Sequence, residues 1–170
     1  IVYQQLNGRA AATIFGRVKA LFPKGKADAK KLLAMDEASL RKAGLSANKY
    51  KALRDLAERT DRGEIPTLTQ LAKMSDDEIV EALTKVRAIG RWTVEMLLMF
   101  RLGRPDVFPI ADFGIKKGFA RLYHPKKRRD EMPDLALMVK RAEKWRPFRS
   151  IASWYLWRAT ELEPDGTVTK

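Results

Sequence analysis

The chain contains no cysteine and only one histidine, His124. Without cysteine there are no disulfides, thiolate zinc sites, cysteine nucleophiles or cysteine-held iron–sulfur clusters. Nothing around His124 suggests a metal site or a catalytic triad, and it reads as a helix-end residue. No run reaches the roughly 18 apolar residues of a membrane span, and no signal peptide is visible. Strand-type alternation is nearly absent, and no segment repeats. Acidic residues are also scarce, 21 against 34 Lys and Arg, which leaves a net charge of +13.

Such a surplus, with a pI near 10.1, favours a polyanionic partner. Residues 101–130 alone carry nine Lys or Arg, among them the run Lys126-Lys127-Arg128-Arg129. On charge alone, nucleic acid, ribosome and anionic membrane surface all stay open. The length of 170 residues suits one domain with a core that needs neither disulfide nor metal. The first residue is Ile1, already within a helical pattern, so further residues are expected upstream.

Helical periodicity dominates. Ala11, Ile14, Phe15, Val18, Leu21 and Phe22 form one stripe in the segment 1–22, with Asn7 placed to cap its second part. Short helices are expected near 28–35 and 37–43, the latter capped by Asp36 and stopped by Gly44. Ser46 caps a helix running toward Gly63, and Thr67 a short turn to Met74. Ser75 with Glu78 forms a capping box that opens a helix bearing Ile79, Leu83 and Val86. Further helices follow the turn at 87–91, then Pro109, Pro133 and Pro147, the last ending near Leu162. The expected fold is all-α, about ten helices in a single domain over 1–163, with 164–170 a frayed tail.

The most informative stretch is Val86-Arg87-Ala88-Ile89-Gly90-Arg91-Trp92-Thr93. It reads as a tight turn between two helices, a helix-hairpin-helix over about 76–102. The first N–H groups of a helix lie at the positive end of its dipole and attract anions. A turn presenting them outward can grip a DNA phosphate without reading sequence. Gly90 is expected to supply the positive φ of such a turn and to let a phosphate approach the backbone. Ile89 tucks inward, and Arg91 adds charge. Ala88, Ile89, Gly90, Arg91 and Thr93 are therefore candidate phosphate contacts, and an ordinary helix-to-helix turn is the plain alternative; Lys49, in a block that carries the family resemblance described below, is a further candidate. Twenty-two residues after Gly90 stands Asp112, at the start of another helix.

Ala88-Ile89-Gly90-Arg91-Trp92-Thr93, together with Asp106-Val107-Phe108-Pro109 and Asp112, resembles the helix-hairpin-helix, Gly/Pro-rich loop and aspartate signature of a DNA glycosylase superfamily. More closely, the chain resembles the DNA-3-methyladenine glycosylase II family. Ile1-Val2-Tyr3-Gln4-Gln5-Leu6 with Ala10-Ala11 matches that family's helix before the active site. Gly44-Leu45-Ser46 with Lys49, and Trp145-Arg146-Pro147-Phe148-Arg149-Ser150-Ile151-Ala152, match its later blocks. Two positions depart from the pattern. Ala88 stands where the family's hairpin usually begins with glycine, and Phe148 where some members have tryptophan.

The resemblance implies an enzyme that excises alkylated purines, 3-methyladenine and 7-methylguanine, from double-stranded DNA, with Asp112 as the catalytic aspartate. A fixed anion beside the sugar stabilises developing oxocarbenium charge and can position the attacking water. An alkylated purine is already cationic, so leaving-group activation is largely built in and one carboxylate suffices. By family position Trp92 and Phe148 line the base pocket. Gln5, or the apolar Leu6, is the wedge that fills the gap left by a flipped base. Trp154, Tyr155 and Trp157, at helical spacing, read as core. Asp106 reads as a loop cap.

Relatives that also cut the backbone carry a lysine where Trp92 stands, to form a Schiff base. No lysine lies between Val86 and Lys116, so base removal alone is expected. A glycosylase/lyase for oxidised bases and a non-catalytic DNA-binding module are the alternatives. No cofactor, metal or cluster is expected, although the hairpin carbonyls could hold an ion. The protein is expected to be a monomer, with no membrane partner. An intracellular site is expected, in the cytoplasm and nucleoid or, in a eukaryote, the nucleus.

Overall fold

In the computed structural model, which describes residues 1–123 and 132–161, the regular elements are all helices. Ten are α-helical: α1 (Gly8–Ala20), α2 (Ala29–Ala34), α3 (Glu37–Lys42), α4 (Ala47–Asp61), α5 (Leu68–Leu71), α6 (Asp76–Thr84), α7 (Arg91–Phe100), α8 (Phe113–Tyr123), α9 (Leu135–Ala142) and α10 (Arg149–Ala159). Among the described residues no helix is long and apolar enough to cross a membrane. His124, the basic run 126–129 and the tail 164–170 lie outside the described residues.

Side-chain oxygens begin the helices where short polar residues precede apolar stripes. Asn7, Asp36 and Ser46 each accept from the backbone N–H three residues on. Thr67 with Gln70, and Ser75 with Glu78, close reciprocal capping boxes on α5 and α6. Each such bond satisfies an orphan donor and contributes about 1 kcal/mol of helix stability.

The chain divides into two compact units, Ile1–Arg91 and Trp92–Lys170. No linker in the sequence marks this division, which falls at the hairpin. The first unit is built on a core of Val2, Val18, Phe22, Leu32, Leu40 and Leu45, with α2 packed on α4. The second has its core at Ile115, Phe119, Met138 and Leu156, with α8 packed on α10. Trp145 adds edge-on contacts to Phe108 and Phe119 at 5.7 and 6.4 Å between ring centroids.

Three sequence expectations need correction. Residues 2–6 form a turn rather than the first part of a helix, because Gln5 takes φ +57° and Asn7 is extended, so α1 starts only at Gly8. The last helix starts at Arg149 rather than Pro147, since Phe148 has non-helical dihedrals. Trp154 and Tyr155 are exposed, stacked edge to face on each other rather than in the core. The reason is the closeness of α8 to α10. A Cβ on Gly118 would fall 1.9 Å from the Leu156 carbonyl oxygen, so backbone meets backbone there. The buried face of α10 accordingly carries Ser153, Leu156 and Ala159, and the large rings are turned out.

Candidate active site and nucleic-acid interface

In the second unit the loop before α8 delivers Asp112 to the helix N-cap position. Pro109 and the 2.9 Å bond from the Asp112 N–H to the Pro109 carbonyl tighten the turn that leads into it. The carboxylate then receives three N–H donors. Oδ1 accepts from the Ile115 backbone at 2.8 Å and from the Trp157 indole Nε1 at 2.8 Å. Oδ2 accepts from the Trp92 indole Nε1 at 2.7 Å. Asp112 is thus a helix cap, but capping uses one oxygen and one backbone donor. The two indoles do something further: they fix the plane of the half-buried carboxylate from α7 and α10 and add charge-assisted hydrogen bonds to it.

Gly114 makes this arrangement possible. A Cβ there would lie 2.7 Å from Trp157 Cδ1 and 3.1 Å from Asp112 Oδ1, so any other residue displaces the indole, the carboxylate or both. Trp157 packs against the core of this unit, as expected, and its indole N–H also makes it part of the candidate site. Its separation of 45 residues from Asp112 hid it. A usable signal was present in Gly114 and Gly118, which stand one helical turn apart on the α8 face that α10 approaches.

The other acid in this region, Asp106, serves the scaffold. Arg149 grips it bidentately at 2.6 and 3.0 Å, and Arg146 adds a contact at 2.7 Å. The hydrogen-bonded Arg149 guanidinium holds the Asp106 carboxyl below its usual range. Ser150 adds a second tie, accepting from the Val107 N–H and donating to the Arg104 carbonyl. Loop 104–107 is thereby stapled to the first turn of α10. Trp92 and Phe148, the expected pocket residues, are 43% and 56% exposed, so both rings are accessible for stacking.

In the first unit the hairpin follows α6. Ile89 N–H bonds the Val86 carbonyl at 3.1 Å, and Ile89 is half-buried beneath a turn whose Ala88, Gly90 and Arg91 are exposed. The positive φ lies at Ala88 (+61°) and not at Gly90, a correction to the expectation above. Ala88 holds the strained position at which a glycine would be relaxed. Gly90 instead leaves room: a Cβ there would meet nothing within 4 Å. The Arg87 N–H bonds Asp55 Oδ2 at 2.7 Å, and this backbone donor, ahead of Arg59, keeps the Asp55 carboxyl below its usual range.

The remaining candidates in this unit differ in placement. Gln5 and Leu6 are both exposed, and Gln5 is held in left-handed backbone. Lys49 is turned to its own unit: its ammonium donates to the Val2 carbonyl at 2.7 Å, and burial lowers its pKa. Thr93, in the first turn of α7, is half-buried. Among the described residues no cluster of His, Cys, Asp and Glu could hold a metal.

Residues 1–144 match the family of HhH-GPD superfamily base excision DNA repair proteins. Over 163 residues the chain is 39% identical to DNA-3-methyladenine glycosylase 1 of Schizosaccharomyces pombe, covering 95% of this chain and 70% of that one. The Bacillus subtilis relative YfjP is 34% identical over 167 residues, and the chain spans 56% of its length. A solved structure of the S. pombe 3-methyladenine DNA glycosylase in complex with abasic DNA matches with a TM-score of 0.82 at 38% identity, covering 98% of this chain and 79% of that chain. The all-helical fold agrees with this match, and the chain belongs to the HhH-GPD superfamily of base excision DNA repair proteins.

Proposed function

We propose that this protein is a monofunctional DNA glycosylase that hydrolyses the N-glycosidic bond of alkylated purines in double-stranded DNA. The observation that carries the reading is the Asp112 carboxylate, fixed by two indole N–H groups and one backbone N–H. A capping acid needs only the last of these. An acid that must face a developing cation needs to be held in one orientation before the reaction begins.

The chemistry runs through that carboxylate. The bond between C1′ of the deoxyribose and the base nitrogen breaks, and its electron pair leaves with the cationic purine. Asp112 lies against the resulting oxocarbenium-like sugar, stabilises it, and positions the water whose oxygen bonds to C1′; the water's proton passes to the carboxylate. The exposed faces of Trp92 and Phe148 stack on the flipped base, and a cationic base gains about 1–2 kcal/mol from such a face. Trp92 takes the place of a Schiff-base lysine, so no covalent enzyme–sugar adduct forms and the strand stays intact.

Binding rests on phosphate contacts by the hairpin. Its exposed turn leads into α7, and the open space at Gly90 lets a phosphate oxygen come close to the backbone. Gln5 or Leu6 enters the duplex in place of the extruded base. The charge of +13 supplies long-range attraction. The protein acts as a monomer, in the compartment that holds the cell's DNA.

The test is incubation with duplexes carrying 3-methyladenine or 7-methylguanine, scoring free base and strand breaks separately. Free base with intact strands until alkali is the expected result. Strand cleavage before alkali would overturn the monofunctional reading, and base release undiminished in Asp112→Asn would move catalysis elsewhere.

A further inference from the structure

We infer that Gln4 is a positioning residue that locks the duplex wedge to the phosphate-gripping hairpin at one fixed spacing. The inference rests on the reading of Gln5 and Leu6 as the wedge and of the hairpin as the phosphate seat. Both lie in the first unit, and one side chain joins them. The Gln4 side-chain amide Nε2 donates to the Ala88 carbonyl at 2.9 Å, across 84 residues of sequence.

Each end of that bond carries or adjoins left-handed backbone. Gln5, next to Gln4, has φ +57°, and Ala88 has φ +61°. Left-handed backbone in a non-glycine residue costs on the order of 1 kcal/mol and persists only where neighbouring contacts over-determine it. Those contacts can be named. The Gln4 N–H closes a turn onto the Ile1 carbonyl at 3.2 Å, the Val2 side chain is buried in the core, and Lys49 holds the Val2 carbonyl. On the hairpin side Asp55 holds the Arg87 N–H, and Gln4 holds the next residue's carbonyl. The turn carrying the wedge and the turn carrying the phosphate seat are thus anchored separately and then tied to each other by Gln4.

Such a tie matters for a protein that must insert a side chain at a defined distance from the phosphate it has seized. Without it the hairpin could still hold DNA, but the wedge would sample positions off the base step. The residue type follows as well. The Ala88 carbonyl needs an N–H donor of this length, which methionine lacks and which glutamate replaces with an acceptor.

The experiment uses a duplex with an abasic-site analogue beside a 2-aminopurine, whose fluorescence rises when the wedge unstacks it. In Gln4→Met, of similar length and uncharged, the insertion equilibrium falls about three- to tenfold, the range of one net hydrogen bond. Affinity for an undamaged duplex falls by clearly less than the insertion equilibrium, and the thermal midpoint drops by no more than the loss of one hydrogen bond explains. Gln4→Glu shows the same loss of insertion. Unchanged insertion in Gln4→Met overturns the coupling alone, as does a parallel fall in insertion and undamaged-duplex affinity. No fluorescence rise with the wild-type protein overturns the wedge reading itself, and the coupling with it.

Discussion

The indole N–H of Trp92 donates to Oδ2 of Asp112 at 2.7 Å, the oxygen that the helix cap does not use. This gives Trp92 a role separable from stacking on a base. Phenylalanine keeps an aromatic face and loses the donor. Trp92→Phe is therefore expected to lower the single-turnover rate of base release while leaving affinity for abasic-site DNA nearly unchanged. A hydrogen bond to a charged group supplies about 1.5–3 kcal/mol, so the expected loss is about ten- to a hundredfold. A full wild-type rate in Trp92→Phe would show that the aromatic face alone matters.

Gly114 offers an independent test of the same geometry. The added methyl in Gly114→Ala would press on Trp157 at 2.7 Å and on the Asp112 carboxylate at 3.1 Å. An indole packed between helices cannot step aside as a flexible chain end would. Misplacing a catalytic group by a fraction of an ångström to 1 Å costs up to about a hundredfold in rate. Single-turnover excision by Gly114→Ala should fall by that order while its helical circular dichroism persists. Excision at the wild-type rate would mean that the carboxylate does not need its present orientation.

What could be read from the sequence follows from the range of each interaction. The caps at Asn7, Asp36, Ser46, Thr67 and Ser75 act over three residues, and all are present. The place of Asp112 at the start of a helix was legible because the proline turn before it and the cap it makes are local. Trp157 was not, since its bond to Asp112 exists only because Gly114 and Gly118 let α10 approach α8, a fact of packing. The same closeness turns Trp154 and Tyr155 outward, against their helical spacing. The tie between Gln4 and Ala88 was equally hidden, being a contact of two turns with no periodicity to betray it.

The hairpin contains a paired prediction, because its strain and its open space fall on different residues. Ala88, at φ +61°, should gain from losing its Cβ, whereas Gly90 needs no positive φ. Relief of left-handed strain, about 1–2 kcal/mol, exceeds the roughly 0.5–1 kcal/mol that glycine loses in chain entropy. Ala88→Gly should raise stability in chemical denaturation by the small difference. Gly90→Ala should leave stability within experimental scatter, since its methyl meets nothing. If a phosphate sits there, Gly90→Ala must nevertheless weaken duplex binding and flatten its salt dependence. Unaltered binding by Gly90→Ala would remove the phosphate from that turn.

Acid should weaken the second unit through Asp106. Its carboxyl is held below the usual value, first by the side-chain hydrogen bond from Arg149, and its side chain is only 25% exposed. A depressed pKa means that the folded protein favours the anion more than the unfolded chain does. The stabilisation is then complete above the ordinary carboxylate pKa, about 4, and is lost progressively as pH falls through the lower folded value. Bonds of this charged kind are worth about 1–3 kcal/mol when screened from solvent. Asp106→Asn, which keeps the shape but not the charge, should therefore lower the midpoint of urea unfolding at pH 7. The gap between variant and wild type should narrow as the buffer is taken below pH ~4. A gap constant down to strong acid would mean that Asp106 holds loop 104–107 through shape and neutral hydrogen bonds, and that its ion pair with Arg149 contributes nothing net.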